Sequence, residues 1–324
     1  MKKLFFTGLL TMLAFFLVHA QAPLTDDLGY KGGSIKGLKK PADALNIIVM
    51  GDWGRNGENY QRNVAAGMGK AAHDLDADFV IATGDNFYPY GVQSTGDYHW
   101  ISSFESVYTA QSLHVRWYPV LGNHDYISNP DAQVEYSTIS SRWTMPSRYY
   151  SRTFRHAGDS ILFVFLDTDP IEKENRGQAY DSVKYVKGSV AKQLAWLDAR
   201  LSSSKARWKI VVGHHPVYTG GWRKDSPDTK KMHDLLEPIF EKYKVDLYIA
   251  GHEHHLEHVK AAGPTHYLVS GAASESRKTD KYPGIGTFAA GVQGFATLSI
   301  MKDSALIQFI DYRDKILHET VIKK

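Results

Sequence analysis

The sequence contains no cysteine among its 324 residues. This excludes disulfide bonds, and it also excludes metal sites that use thiolate ligands. Any metal site in this chain must therefore be built from nitrogen and oxygen ligands. The 15 histidines make such a site plausible on composition alone.

An excess of charge of one sign is also lacking. Lys and Arg total 38 residues, whereas Asp and Glu total 35. A nearly neutral chain without basic blocks gives no support for binding to nucleic acid.

Long apolar runs are lacking beyond the N-terminus. Lys2 and Lys3 precede the apolar run Leu4–Val18, which ends close to the small residue Ala20. The run is shorter than the roughly 20 residues of a membrane-spanning helix, so a permanent anchor is the less favoured interpretation. We predict that residues 1–20 are a signal peptide, that the protein is periplasmic or secreted, and that it has no stable membrane anchor.

The rest of the chain is predicted to form a linker and one domain. Residues 21–44 are rich in Gly, Pro and Lys and predict a linker or N-terminal arm. Residues 45–324 have a length that suits a single catalytic domain.

Short apolar segments alternate with longer amphipathic segments over most of the domain, which is typical of an α/β protein. The predicted strands are Leu45–Met50, Asp78–Ala82, Trp117–Leu121, Tyr149–Phe154, Ser160–Leu166, Lys209–Val212 and Asp246–Ala250, and the predicted helices are Asn59–Leu75, Tyr98–Thr109, Val190–Leu201 and Thr229–Tyr243.

The last part of the chain has a different pattern. His266–Ser270, Phe295–Met301 and Ala305–Tyr312 alternate apolar with polar residues, which predicts antiparallel strands that close a second sheet. The predicted fold class is α/β (or α+β), with two packed mixed β-sheets flanked by helices on both sides.

Five polar clusters follow predicted strands, at the carboxyl ends where open α/β sheets place their ligands. They are Gly51-Asp52-Trp53-Gly54, Gly84-Asp85-Asn86-Phe87-Tyr88, Gly122-Asn123-His124-Asp125, Gly213-His214-His215 and Gly251-His252-Glu253-His254-His255. Each glycine is expected to let the backbone turn sharply after its strand. A single Gly-Asp or Asn-His-Asp is more often an ordinary turn, but the five clusters together favour one metal site.

These clusters resemble the pattern of the metallophosphoesterase superfamily. Tyr88, three residues after Asp85, makes the sequence more similar to the purple acid phosphatases, in which a tyrosinate binds ferric iron. The surroundings resemble the small, mammalian tartrate-resistant type of that family. The likeness spans roughly residues 45–300 and implies the metallophosphatase fold.

The resemblance also implies a role for each matching residue. Ferric ligands would be Asp52, Tyr88 and His254, a bridging ligand would be Asp85, and ligands of the second, divalent ion would be Asn123, His214 and His252. Hard Fe(III) favours anionic oxygen, whereas Fe(II), Zn or Mn accepts imidazole and carboxamide, which agrees with this division.

The implied activity is that of an exported acid phosphatase acting on small phosphate monoesters. Its nucleophile would be a hydroxide generated at the two metals. His124 resembles the outer-sphere histidine of the family, which orients the phosphate or protonates the leaving alcohol. The alternative for His124 is that it only orients a metal ligand.

The sequence departs from the mammalian members at a second outer-sphere histidine. The stretch Pro216–Pro227 contains no histidine, so His215 and Arg223 are the candidates to replace it, and with Asn123 they form the predicted substrate contacts. The segment Pro89–Asp97 and the Gly220–Pro227 loop are expected to frame the entrance. Substrate identity, pH optimum and oligomeric state do not follow from these residues.

Two other functions compete with this hypothesis. One is a metallophosphoesterase with two divalent ions that acts on phosphodiesters or nucleotides, and Tyr88 argues against it. The other is a protein that only binds phosphate or a partner. The complete set of ligand residue types argues against that function.

Overall fold

A computed structural model describes residues 32–173 and 189–324 of the chain. The predicted signal peptide and the first part of the predicted arm lie outside the described residues. In the rest of the arm, Ile35 is buried, and its N–H donates to Asp74 Oδ2 at 2.9 Å. No helix in the described ranges is long and apolar enough to cross a membrane.

The described residues form thirteen strands and five α-helices, together with shorter helical turns. The strands are β1 Leu45–Met50, β2 Phe79–Ala82, β3 Arg116–Pro119, β4 Tyr150–His156, β5 Asp159–Phe165, β6 Trp208–Val212, β7 Leu247–Ala250, β8 Leu256–Lys260, β9 His266–Ser270, β10 Gly286–Ala290, β11 Gly294–Ile300, β12 Ser304–Asp311 and β13 Ile316–Lys323. The helices are α1 Gln61–Leu75, α2 Asp131–Tyr136, α3 Thr168–Lys173, α4 Ser189–Ser202 and α5 Pro227–Tyr243.

The strands make two mixed sheets, as the sequence predicted. The first sheet has the order β13-β12-β11-β1-β2-β3, in which β1, β2 and β3 are parallel. The second has the order β10-β8-β9-β7-β6-β5-β4, in which β5, β6, β7 and β9 are parallel.

The main core lies between the sheets. In β5, Phe163 and Phe165 belong to this core, whereas the alternate residues Leu162 and Val164 belong to a second core with α4 and α5. This alternation is the period of a strand that is covered on both faces. Ser270 Oγ also donates to the Val49 carbonyl at 2.9 Å and so joins the two sheets.

The prediction for the end of the chain is wrong in part. The segments Phe295–Met301 and Ala305–Tyr312 correspond to β11 and β12. They extend the first sheet, because β11 pairs antiparallel with β1 and β12 pairs antiparallel with β11. His266–Ser270 is β9 of the second sheet, and it pairs parallel with β7. Alternation of apolar and polar residues indicates a strand but does not identify its neighbour.

Two predicted helices also differ from the structure. The helix predicted from Asn59 begins at Gln61, because Asn59 and Tyr60 have φ of 50° and 69° and leave the helical region. The segment Tyr98–Thr109 contains only a short π-helical turn, Trp100–Glu105. Its buried residues Trp100, Phe104 and Tyr108 contact a cluster of other rings, and Trp100 stacks on Tyr136 with ring centroids 3.5 Å apart.

Candidate metal centre

The five polar clusters meet at one place in the fold. They follow β1, β2 and β3 of the first sheet and β6 and β7 of the second. Parallel strands bring their carboxyl ends to the same edge of a sheet. Because the two sheets face each other at this edge, all seven predicted metal ligands come together.

The first group of side chains surrounds the Tyr88 hydroxyl. The Tyr88 Oη lies 2.9 Å from Asp85 Oδ2, 3.1 Å from Asp52 Oδ1 and 3.1 Å from His254 Nε2. The Asp52 Oδ1 and His254 Nε2 atoms are themselves 3.4 Å apart. One hydroxyl proton cannot satisfy three neighbours at once. A cation among these atoms fits the donor set, and we call this group the tyrosine pocket.

The second group surrounds His214. Its Nε2 lies 3.1 Å from His252 Nδ1, 3.3 Å from Asn123 Oδ1 and 3.5 Å from Asp85 Oδ1. The His214 Nδ1 donates its proton to the Thr83 carbonyl at 2.8 Å, because a carbonyl only accepts. Nε2 therefore faces the other three atoms, as in a histidine ligand oriented by a backbone carbonyl. We call this group the histidine pocket.

Asp85 belongs to both pockets. Its Oδ2 contacts the Tyr88 hydroxyl, while its Oδ1 lies beside His214 Nε2. Oδ1 also accepts the His124 backbone N–H at 2.8 Å, which fixes the orientation of the carboxylate. A carboxylate placed in this way fits two ions, with one oxygen for each.

Burial and charge shift the pKa values of the ligands. Burial, followed by the charges of Asp52 and Asp85, raises the pKa of Tyr88 well above its ordinary value. Burial lowers the pKa of His252 well below its ordinary value, and the nearby His215 acts in the same direction. His252 is therefore a neutral imidazole, the form that binds metals. The Tyr88 phenol needs a bound cation before it ionises.

The backbone conformation of the clusters differs from the prediction. Of the five glycines that open them, only Gly84 has a positive φ, at 93°. The left-handed conformation instead falls on the next residue at three ligands, Asp52, Asp85 and His252, with φ of 59°, 47° and 67°. Such residues are strained and concentrate at functional sites. At Gly122 the requirement is close approach, because a Cβ there would lie 2.2 Å from Asp85 Oδ1.

His124 lies beside both pockets and is partly exposed. Its Nδ1 donates to the Pro89 carbonyl at 2.7 Å, which leaves Nε2 free to face the site. That Nε2 is 4.0 Å from Asp85 Oδ2. The imidazole ring packs on Tyr88, with centroids 4.4 Å apart. The imidazole is thus close to the predicted ions but is not within the group of converging ligand atoms.

The two candidates for the missing histidine occupy different places. His215 is buried, and its Nδ1 lies 2.9 Å from Thr168 Oγ1, so it packs behind His252 rather than facing solvent. Arg223 is partly exposed, and its guanidinium donates to Glu253 Oε1 at 3.0 Å. Besides burial, the Arg223 charge helps to lower the pKa of His252, so the guanidinium lies near the histidine pocket.

Several residues that support the site had no role in the sequence prediction. Asp125 accepts the backbone N–H groups of Asn86 and Gly122, at 3.1 and 2.8 Å, and so joins the loops after β2 and β3. Burial, followed by the Asp85 charge, raises the pKa of Asp125 to about 7. The Arg55 guanidinium lies 3.7 Å above the centroid of the Tyr88 ring. Asp125 was inside a recognised cluster, whereas no local pattern marked Arg55.

The fold and this paired site define the protein as a metallophosphoesterase, and comparisons with known proteins agree. Residues 45–256 match the calcineurin-like phosphoesterase family. Purple acid phosphatase 17 of Arabidopsis thaliana is 38% identical over 309 residues, covering 90% of this chain and 89% of that protein. Human tartrate-resistant acid phosphatase type 5 is 31% identical over 298 residues, covering 86% of this chain and 90% of that protein.

A solved structure shows the same fold. GAP50, described as the anchor in the inner membrane complex of Plasmodium, has a TM-score of 0.74 at 22% identity, covering 86% of this chain and 89% of that one. The chain therefore belongs to the calcineurin-like phosphoesterases and, within them, to the purple acid phosphatases. It is a hydrolase of phosphate monoesters with a dinuclear metal centre.

Proposed function

We propose that the chain is an exported acid phosphatase with Fe(III) in the tyrosine pocket and a divalent ion, Fe(II), Zn or Mn, in the histidine pocket. The observation that carries this proposal is the position of Tyr88. Its hydroxyl lies within 3.1 Å of two carboxylates and an imidazole. Anionic oxygen ligands in this number suit a hard trivalent ion better than a divalent one.

When bound, the two ions would lower the pKa of a water molecule and neutralise charge on the phosphate. The protein supplies the orientation of the groups around the ester. Asp85 would hold the two ions at a fixed separation, because each of its oxygens faces a different pocket. Asn123 and His252 are partly exposed, so the histidine pocket is the side from which an ester would enter.

His124 is the group we assign to proton transfer. Its Nδ1–H is held by the Pro89 carbonyl, so the second proton of the imidazolium form, which is the one that can be transferred, sits on Nε2. From there it would pass to the oxygen of the leaving alcohol, and general acid catalysis of this kind typically contributes about 10²–10⁴-fold. Arg223 would hold an oxygen of the phosphate, because its guanidinium has further N–H donors besides the one that meets Glu253.

The rival hypothesis, two divalent ions acting on phosphodiesters or nucleotides, has no observation that favours it over this one. Export is proposed from the signal-peptide pattern of residues 1–20.

The test is the visible spectrum of the purified, metal-loaded protein, recorded with Tyr88→Phe and with turnover of p-nitrophenyl phosphate. We expect a broad charge-transfer band that disappears in Tyr88→Phe. The matched control is Tyr90→Phe, since Tyr90 is two residues away and 66% exposed. A colourless, active wild-type enzyme with two divalent ions would contradict the ferric assignment and favour the rival. A colourless protein without turnover would favour a binding function.

A further inference from the structure

A cavity of about 500 Å³ opens between two loops that contact the segment carrying His252 and His254. One loop contributes Trp222 and Lys224, and the other contributes Lys278 and Asp280. Neither loop supplies a predicted metal ligand. The cavity is therefore separate from the two pockets that hold the reacting phosphate.

Both loops are fixed to the segment that carries His252 and His254. Gly221 packs on the carboxylate of Glu253, so closely that a Cβ at this glycine would lie 2.2 Å from Glu253 Oε2. On the other side, the Arg277 N–H donates to the His254 carbonyl at 2.7 Å. Each wall of the cavity is thus joined to a residue within or beside the ligand pair.

The cavity carries positive charge that the described residues do not neutralise. Lys224 and Lys278 are both exposed, and neither forms an ion pair with a residue in the described ranges. Asp280 is the acidic side chain among the described lining residues, so the lining retains a net positive charge.

Trp222 adds a flat surface to this charge. Its indole is 68% exposed, with the Arg223 guanidinium 4.2 Å and the Arg277 guanidinium 5.9 Å from the ring centroid. Two cations beside an exposed ring hold it in place at the entrance. The exposed indole thus lines the same cavity as Lys224 and Lys278.

We propose that the cavity between Trp222, Lys224 and Lys278 binds a second phosphate group on the leaving alcohol, so that the enzyme prefers small bisphosphorylated substrates. This inference rests on the proposed phosphatase function. One phosphate would occupy the metal centre while the lysines hold the other. Two anchored ends fix the direction of the leaving group, which favours the geometry of attack.

Ion pairs between exposed groups are individually weak, and two of them should change kcat/KM by about 5–10-fold. The experiment compares kcat/KM for glucose 1,6-bisphosphate with that for glucose 6-phosphate, which differ by a single phosphate group. The wild-type protein is expected to prefer the bisphosphate by about 5–10-fold. In the double variant Lys224→Ala/Lys278→Ala this ratio should fall to about 1.

The matched control is Lys36→Ala/Lys205→Ala, which removes the same charge from exposed positions elsewhere and should keep the wild-type ratio. Two results would overturn the proposal. One is a wild-type ratio near 1, and the other is a double variant that keeps the preference.

A binding experiment separates this proposal from the phosphatase assignment. Calorimetry on the metal-loaded protein compares propane-1,3-diphosphonate with propylphosphonate, neither of which requires turnover. The diphosphonate should bind the wild-type protein about 5–10-fold more tightly, and the double variant should lose that difference. If the double variant loses the tighter binding of the diphosphonate, but the wild-type protein does not turn over p-nitrophenyl phosphate, the result supports binding in the cavity and contradicts the proposed function. If the affinity ratio of diphosphonate to propylphosphonate is the same in the wild-type protein and the double variant, the result contradicts binding in the cavity.

Discussion

The tyrosine pocket and the histidine pocket share Asp85 but differ in charge and exposure. The tyrosine pocket adds the carboxylate of Asp52 and the phenol of Tyr88, and both residues are buried. The histidine pocket adds a carboxamide and two imidazoles and no further carboxylate, and its Asn123 and His252 are partly exposed. On the proposed assignment, the first arrangement would hold the trivalent ion, and the second would hold the divalent ion that also meets substrate.

The pockets also differ in how the fold assembles them. Asp52 and Tyr88 follow β1 and β2, which are neighbours in the first sheet, and His254 follows β7 of the second. The histidine pocket combines Asn123, which follows β3, with two residues that follow β6 and β7 of the second sheet. Both pockets therefore depend on the packing of one sheet against the other, and the histidine pocket takes the larger share of its own ligands from the second sheet. We expect the histidine pocket to lose its ion more easily when that packing is disturbed.

The largest effect is expected from Asp85→Asn. Both pockets should lose their ions, because both share this carboxylate. The amide keeps the shape but removes the charge that two cations share, so kcat should fall by at least about 1000-fold, beyond the 10–100-fold typical of outer-shell changes. Elemental analysis should show loss of both ions. The control is Asp303→Asn, whose carboxylate is 66% exposed and lies outside the site. A variant that keeps two ions would contradict the bridging role.

His252→Ala should affect the histidine pocket alone. The metal content is expected to fall from two ions to one, with the visible band retained and kcat lowered by about 100–1000-fold. The measurement combines elemental analysis with the absorption spectrum. His73→Ala, at a side chain that is 68% exposed, provides the control. Loss of the band together with the second ion would show that the pockets are not independent.

The sequence was sufficient to predict the two sheets and to select the residues that meet at their edge. Each predicted ligand lies in a cluster that follows a short apolar strand, and the direction of parallel strands then brings such residues together. Tyr88 was selected by the resemblance to the purple acid phosphatases, on its position three residues after Asp85. The ligand clusters could be selected from their position after a predicted strand, without knowing to which sheet that strand belongs.

Contacts between segments distant in sequence could not be predicted. Strands β11 and β12 belong to the first sheet, in which β11 pairs with β1. The alternation of apolar and polar residues indicates that a segment is a strand but not which strand it pairs with. The contact of Arg223 with Glu253 spans thirty residues, and neither the loop of Arg223 nor the cluster of Glu253 carries a sequence signal for this pair. The left-handed conformation of Asp52 could not be predicted either, because the glycine before it was expected to adopt the unusual backbone angles of the turn.

The smallest effect, and the one most specific to the tyrosine pocket, is expected from Arg55→Met. The Arg55 guanidinium lies 3.7 Å above the Tyr88 ring and is held there by Ser274 Oγ at 3.0 Å and Glu275 Oε2 at 2.9 Å. If the proposed Fe(III) occupies the tyrosine pocket, a cation over the ring would stabilise the electrons that the tyrosinate donates to it. Its removal should move the charge-transfer band to longer wavelength by on the order of 10 nm, from a cation–π energy of about 0.5–2 kcal/mol.

The metal content and the ions of the histidine pocket should not change in Arg55→Met. Arg152→Met, at an exposed position on β4, removes the same charge far from the ring and should leave the band in place. If both variants shift the band equally, the effect comes from net charge rather than from the stacked guanidinium. If Arg55→Met alone shifts it while His252→Ala does not, the two pockets are electronically distinct although they share Asp85.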